Sequence, residues 1–426
     1  MSLTLAIITL FILFLINIPI SYSLMASTLI YFLTSDLTPM ILVQRMIGGI
    51  ESIPLLAVPF FVTAGVLMNY TGISKRMVNF AEVMTGHLPG GLAQVNVLLS
   101  TLMGGLSGSS IADAAMQSKI LVPEMVKRGY SKAFSSAVTG ASALITPIIP
   151  PGIALIIYGY VGNVSIGRLF LAGILPGVLM CVILMLTVHF ISKKRGYLPA
   201  RDKAARPKEV LIASRDAFLA LLLPVVIIGG IRFGIFTPTE AGSIAVIYAL
   251  FLGAIVYREM KINHLKEALY ESVSTTTSIL LIIAAASSFA WVLTWERVPH
   301  IATEFVTSLV HSPSMFLLVV NIFLLIIGMF IEGNVALIIL TPLLMPMVKV
   351  YGIDPVHFGM IFIFNLSVGT LTPPLGTIMF TTCSITGTKI ADFLKEIIPF
   401  YIVLAICLIL ITYLPIISLW LPSVLM

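Results

Sequence analysis

Apolar runs broken at a few short polar points dominate the chain. The run 94–125 carries Ser107-Gly108-Ser109-Ser110 at its centre. The apolar arm on each side has about 13 residues, which as helix covers about 20 Å of a hydrocarbon core about 30 Å thick. Neither arm crosses such a core alone. The arrangement that leaves no backbone group unsatisfied is a helical hairpin entering and leaving on one face, its polar tip near mid-membrane. The run 315–350 repeats the pattern, interrupted by Ile331-Glu332-Gly333-Asn334. Two other apolar segments are broken by proline and glycine. A helix over 133–161 is interrupted at Thr146-Pro147-Ile148-Ile149-Pro150-Pro151-Gly152, and one over 355–385 at Leu371-Thr372-Pro373-Pro374-Leu375-Gly376. Proline at that density frees carbonyls from their helical partners, which is tolerated at membrane depth only where the backbone lines a cavity or an ion.

The remaining runs read as ordinary spans: 3–33, 53–70, 169–191, 217–231, 240–257, 272–295 and 391–414, with 34–51 and its Arg45 lying in the interface. The predicted fold class is all-α, polytopic and membrane-embedded. Composition agrees: 59% of the 426 residues are hydrophobic and 10% charged, against about a quarter charged in soluble domains. The first run lacks a basic leader and a small-residue cleavage site, so it reads as a retained helix. The net charge of +6 comes chiefly from a basic block at 193–208, which speaks to orientation and not to nucleic acid. Cys181, Cys383 and Cys407 fall in apolar segments without metal or redox spacing. Trp291, Trp295 and Trp420 suit the membrane interface, and the six histidines fall in loops or near span ends.

The breakers recur at a constant offset. A shift of 223 residues carries Gly105 onto Gly328, Pro123 onto Pro346, Gly129 onto Gly352, Pro150-Pro151 onto Pro373-Pro374 and Pro176 onto Pro399. Two copies of one unit are implied, 1–192 and 240–426, joined by a basic cytoplasmic loop and connecting span at 193–239. Lys119, Lys127, Arg128 and Lys132 flank the first hairpin and Lys349 alone the second; after the broken helices the imbalance reverses, with Arg168 against Lys389 and Lys395. Excess positive charge marks the cytoplasmic side, so the copies are inverted. Inverted repeats with discontinuous helices and a midplane site are the architecture of secondary transporters.

Four stretches are therefore expected to converge: Ser107–Ser110, Ile331–Asn334, Thr146–Gly152 and Thr370–Gly376. Hydroxyls and freed carbonyls suit a hard cation such as sodium, and helix N-termini suit a carboxylate. Small residues that merely permit close helix packing are the competing explanation for any single tip. Glu332 and Asp113 are the acidic residues expected inside the membrane, where a charge costs at least about 2.5 kcal/mol. Glu332 sits at a tip; Asp113, three residues past Ser110, is placed to join its own hairpin's hydrogen bonds. No phosphate-cradling Gly-x-x-x-x-Gly-Lys-Ser/Thr loop occurs, which leaves an ion gradient as the driving force. Gly105-Leu106-Ser107-Gly108 matches the short nucleophile pattern of intramembrane serine proteases. Its only in-span base, His189, belongs at a cytoplasmic end far from Ser107. A passive channel would need polar stripes along several spans, and polarity here is concentrated at four points.

At these residues the chain resembles the large membrane subunit of the tripartite ATP-independent periplasmic (TRAP) transporters, within the ion transporter superfamily. The likeness runs the whole length and is most specific at Ser107-Gly-Ser-Ser-Ile-Ala-Asp113, Leu121-Val-Pro-Glu-Met125, Arg128-Gly-Tyr130 and the two proline breaks. It implies a scaffold and an elevator-like transport domain that carries sodium and an organic acid of the sialic acid or C4-dicarboxylate class. It further implies ion sites at Ser107–Ser110 with the break Thr146, Pro147, Ile149, Pro150 and Pro151. A second set lies at Gly333 and Asn334 with Gly369, Thr370, Thr372, Pro373 and Pro374. Sodium itself would be held at Ser107, Ser109, Thr146, Ile149, Gly333, Gly369 and Thr372. The implied partners are a small four-helix membrane subunit, expected as a separate chain, and a periplasmic substrate-binding protein, at the bacterial inner membrane.

Overall fold

The computed structural model describes residues 2–16 and 18–426. Every element among them is helical. Among the described residues, eight helical segments are at least 18 residues long and apolar enough to cross a membrane. In chain order α1 spans Ser2–Leu15, α2 Ile20–Thr34, α3 Met40–Gly48, α4 Ala57–Tyr70 and α5 Ile73–Thr85; one 3-10 turn, Ile53–Leu56, precedes α4. The first hairpin is α6 (Gly91–Ser107) and α7 (Ser110–Lys127), followed by α8 (Lys132–Ala143), α9 (Ile153–Val161) and α10 (Ile166–Arg195). Next come α11 (Pro207–Arg232), α12 (Pro238–Phe251), α13 (Ile262–Trp295) and α14 (Val298–Leu309). The second hairpin is α15 (Pro313–Phe330) and α16 (Gly333–Val350), followed by α17 (Pro355–Leu371), α18 (Thr377–Thr386), α19 (Ile390–Tyr413) and α20 (Ile416–Leu425).

One expected span is two helices. Instead of crossing once over 3–33, the chain turns back ahead of Pro19, and α1 lies antiparallel to α2. Ser2 Oγ donates to Thr34 O at 2.7 Å and Ser27 Oγ to Ala6 O at 2.7 Å. A single 31-residue helix would run about 46 Å, well beyond the hydrocarbon core, and the proline supplies the break.

The hairpin arms run 17 and 18 residues, about 26 Å of helix, and so are longer than the thirteen expected. Their outer ends nevertheless meet one segment. Gly90 N donates to Tyr197 O at 3.3 Å, Arg128 Nη1 to Ala200 O at 2.9 Å and Tyr130 Oη to Leu198 O at 2.8 Å. The chain thus enters and leaves on the face where α10 ends in Lys193, Lys194 and Arg195. The second hairpin closes likewise: Tyr351 Oη donates to Val310 O at 2.6 Å and its ring stacks on Phe316 at 4.4 Å.

Element boundaries recur at the sequence offset. Shifting Ser110–Lys127 by 223 gives 333–350, the limits of α16, and the N-caps Ser131 of α8 and Asp354 of α17 differ by the same number. Gly129 and Gly352, which end α7 and α16, both take positive φ, +86° and +65°. Each broken helix resumes against the other hairpin: α9 packs on α16 and α18 on α7. The packing of α8 on α19 and α17 on α10 is crossed in the same way. Around this interlocked centre, α4 packs on α12, α2 on α13 and α5 on α11. His357, expected near an interface, is instead buried at the start of α17, between Ser418 Oγ at 2.7 Å and Thr412 O at 3.2 Å.

Candidate functional site

The two hairpin tips are short because their residues end one helix and start the next. Gly108 closes α6 with φ +60°, a conformation that costs an L-residue with a side chain. Ser109 then caps α7, its Oγ accepting from Ala112 N at 3.4 Å. At the second tip Glu332 caps α16: Oε2 accepts from Val335 N at 3.2 Å and Oε1 from Asn334 Nδ2 at 3.0 Å. The Glu332 carboxylate is therefore engaged with its own helix even as it faces the centre.

Glycines press each hairpin onto its own break. A Cβ on Gly105 would stand 3.2 Å from Pro150 O, and one on Gly108 would stand 3.1 Å from Pro151 O. The repeat mate of Gly105 does the same, since a Cβ on Gly328 would stand 3.1 Å from the Cα of Gly369. Leu375 N donates to Met329 O at 3.2 Å across the second pair. Both Pro150-Pro151 and Pro373-Pro374 bonds are cis.

The four stretches border one cavity of about 130 Å³. Gly108, Ser109 and Ser110 line it from the first tip, Glu332, Gly333 and Asn334 from the second, Pro147 from the first break and Thr370 from the helix entering the second. Four helices begin at its wall: Ser110 opens α7, Ile153 α9, Gly333 α16, and Ile378 lies in the first turn of α18. Each N-terminus carries about half a positive charge, which favours negative charge in the cavity although none of its lining residues is basic; the Glu332 carboxylate, bonded to Val335 N, already supplies one such charge at the second tip. Such a wall suits an anion.

Other predicted residues lie behind that wall. Thr146 is fully buried and donates to Asp113 Oδ2 at 3.1 Å. The same oxygen accepts from Ser100 Oγ at 2.7 Å and from Gln117 Nε2 at 2.8 Å. Asp113 is 2% exposed, outside the cavity lining, and ties both arms of the first hairpin to the first break. Its Oδ1 and the Gln117 Oε1 are buried without a hydrogen-bond partner among the described residues. Ile149, Pro150, Pro151, Gly369, Thr372, Pro373 and Pro374 also stand back from the lining. The side chain of Ser107 lies outside the described residues. His189, the proposed protease base, is likewise no part of the cavity.

One wall was not anticipated. Thr275 and Ile279 of α13 also line the cavity. Read alone, 272–295 is an ordinary span; the available signal was Ser272-Val-Ser-Thr-Thr-Thr-Ser278, a dense hydroxyl run inside an otherwise apolar helix.

Comparison with known proteins gives the family. Residues 7–417 match the profile of the family described as "Tripartite ATP-independent periplasmic transporter, DctM component". The sialic acid TRAP transporter large permease protein SiaM of Vibrio cholerae is 40% identical over 408 residues, 96% of this chain and 95% of that protein. The C4-dicarboxylate TRAP transporter large permease protein DctM of Pseudomonas aeruginosa is 40% identical over 373 residues, 88% and 87% of the two chains. The 2,3-diketo-L-gulonate TRAP transporter large permease protein YiaN of Escherichia coli is 38% identical over 401 residues, 94% of each. Among solved structures, the YdaH transporter of Alcanivorax borkumensis superposes with a TM-score of 0.64 over 87% of this chain and 86% of that one, at 15% identity, which speaks to fold alone. The protein is thus a multi-pass membrane transporter component and not an enzyme, and it belongs to the DctM family, the large permease subunits of TRAP transporters.

Proposed function

We propose that this chain carries an organic acid anion inward across the bacterial inner membrane, driven by a sodium gradient. The observation that supports this best is the convergence of four helix N-termini on one cavity without a basic side chain. Oriented backbone dipoles attract a carboxylate yet release it more readily than a buried Arg pair would. The relatives' names favour sialic acid, a C4-dicarboxylate or 2,3-diketo-L-gulonate as substrate class.

Sodium would bind behind the anion. Oxygen ligands at about 2.3–2.5 Å suit a hard cation, and the candidate ligands are Ser107, Ser109, Thr146 and Ile149 at the first break and Gly333, Gly369 and Thr372 at the second. The partnerless Asp113 Oδ1 and Gln117 Oε1 fit a cation nearby, since a buried acceptor left unsatisfied costs about 1–3 kcal/mol. Bound there, the ion supplies positive charge, and the hydrogen bonds of Asp113 then hold the first tip against its break.

The two copies, 1–192 and 240–426 about the connector 193–239, are read as inverted repeats. The hairpins and broken helices form one body that moves against a frame of α1–α5 and α11–α14, as an elevator. A small four-helix membrane subunit and a periplasmic capture protein complete the transporter; a relative named the isethionate TRAP transporter permease protein DctMQ is consistent with such a partner. Reconstitution with both partners tests the reading. Uptake of sialic acid, succinate or 2,3-diketo-L-gulonate is expected only with an inward sodium gradient. Equal uptake with potassium in place of sodium would defeat it.

A further inference from the structure

Thr275 is a hydroxyl that the frame, and not the hairpins, presents to the cavity. It stands on α13, which packs on α2, α3 and α4. Other hydroxyls of that helix donate back along it, Ser272 to Ala268 O at 2.6 Å, Ser278 to Ser274 O at 2.9 Å and Thr294 to Ala290 O at 2.8 Å. Thr275 is exposed and makes no such bond among the described residues, which leaves its oxygen for an occupant of the cavity.

Its repeat mate is Ser52, since 275 − 223 = 52. Ser52 also belongs to the frame, at the start of the 3-10 turn before α4, with no side-chain capping bond. It borders a different pocket, beside Tyr160, Asn163 and Ser165 at the far end of α9. The two hydroxyls lie toward opposite membrane faces. Thr275 is 13 residues, about 20 Å, along α13 from the end flanked by Lys261 and Lys266. Ser52 lies at the end of α4 remote from Lys75 and Arg76. Basic flanks mark the cytoplasm, so the cavity here adjoins the cytoplasmic half of the frame.

In a protein of two inverted copies, the opposite access state is reached when the copies exchange conformations. We propose that the frame gives the substrate one hydroxyl in each state: Thr275 when the site faces the cytoplasm, as here, and Ser52 when it faces the periplasm. The inference rests on the inverted-repeat, moving-body reading above. It assigns Ser52 to capture and Thr275 to release.

Cysteine protection tests it in proteoliposomes holding the full-length chain with its small membrane subunit. Cys181, Cys383 and Cys407 are buried, which keeps background reaction low. Thr275→Cys is expected to react with a membrane-impermeant methanethiosulfonate from the cytoplasmic face and Ser52→Cys from the periplasmic face. Sialic acid or succinate, whichever the wild type takes up, should slow both reactions at least threefold when sodium is present. Ser52→Ala should raise the KM for uptake three- to tenfold with kcat largely kept; Thr275→Val should leave that KM within twofold and raise the KM for efflux from the cytoplasmic face three- to tenfold, which Thr275→Ser should restore. Protection of Thr275→Cys without Ser52→Cys would overturn the alternation, and protection of neither in a transporter that imports the compound would overturn the proposal. Sodium-independent uptake by the wild type would instead fail the coupling reading, and leaves the protection pattern to be judged separately.

Discussion

At the scale of single residues, the buried network around Asp113 and the glycine contacts carry the sharpest consequences. One Asp113 oxygen accepts three hydrogen bonds and the other none, so an amide with its oxygen toward Ser100, Gln117 and Thr146 can keep those bonds while losing the charge. Asp113→Asn removes the charge while keeping the size, and the lost attraction to a cation is expected to raise the sodium concentration for half-maximal uptake about tenfold, equivalent to about 1.4 kcal/mol. Sodium titration of uptake measures this; an unchanged half-saturation would make the network purely structural. Gly369→Ala acts by another route. Its Cβ would fall within 2.9 Å of the Gly328 carbonyl oxygen and against two further backbone atoms, where no side chain can yield. Overpacking of that kind costs about 1–3 kcal/mol, read as a lower unfolding temperature in detergent. Thr275 shows where single residues escape sequence reading: its own helix offers no partner, and its role exists only because distant segments close on it.

At the scale of elements, helix ends were easier to read than helix number. The tips and breaks announced themselves through Gly, Pro and hydroxyl residues, whose local preferences act within a few positions. The α1–α2 turn is hard to read because apolar residues flank it closely on both sides, and only Asn17 and Pro19 in the sequence mark the reversal. The arms run past the expected 94–125 at their outer ends, to Gly91 and Lys127, while the polar residues within them are paired: Ser100, Asp113 and Gln117 with one another, Gln94 with Met185 O, and Asn96 with Thr139 and Ser142. Glu332 belongs to this scale. Read from sequence as an intramembrane carboxylate with a functional role, it also holds the first turn of α16. Glu332→Ala is expected to cost about 1 kcal/mol through the lost cap and to raise substrate KM by freeing the turn that carries Gly333 and Asn334. Glu332→Gln keeps one acceptor and should lie between the wild type and the alanine variant in both unfolding temperature and KM. Equal KM for the two variants would separate the cap from binding.

For the whole molecule, the crossed packing decides what can move together. With α9 on α16 and α18 on α7, each hairpin packs on the broken helix of the other copy, which supports the proposal that the four site-bearing stretches travel as one body. Bonds from that body to the frame must then differ between access states. Tyr160, at the end of α9, donates its hydroxyl to Gly49 O at 2.8 Å, beyond the end of α3. Gly49 is held close to α13, where any Cβ would meet Ser287, so the carbonyl has little freedom to follow. Tyr160→Phe removes one hydrogen bond worth about 1 kcal/mol, which changes a two-state ratio about fivefold if the bond exists in one state alone. Spin labels on lipid-facing positions of frame and body, Ile247→Cys of α12 and Ile322→Cys of α15, report that ratio as two distance populations. The hydroxyl-free variant is expected to enlarge the population absent from this structure about fivefold. Identical distributions with and without the hydroxyl would place Tyr160 and Gly49 on a single rigid unit, and the boundary between frame and moving body would then have to run elsewhere.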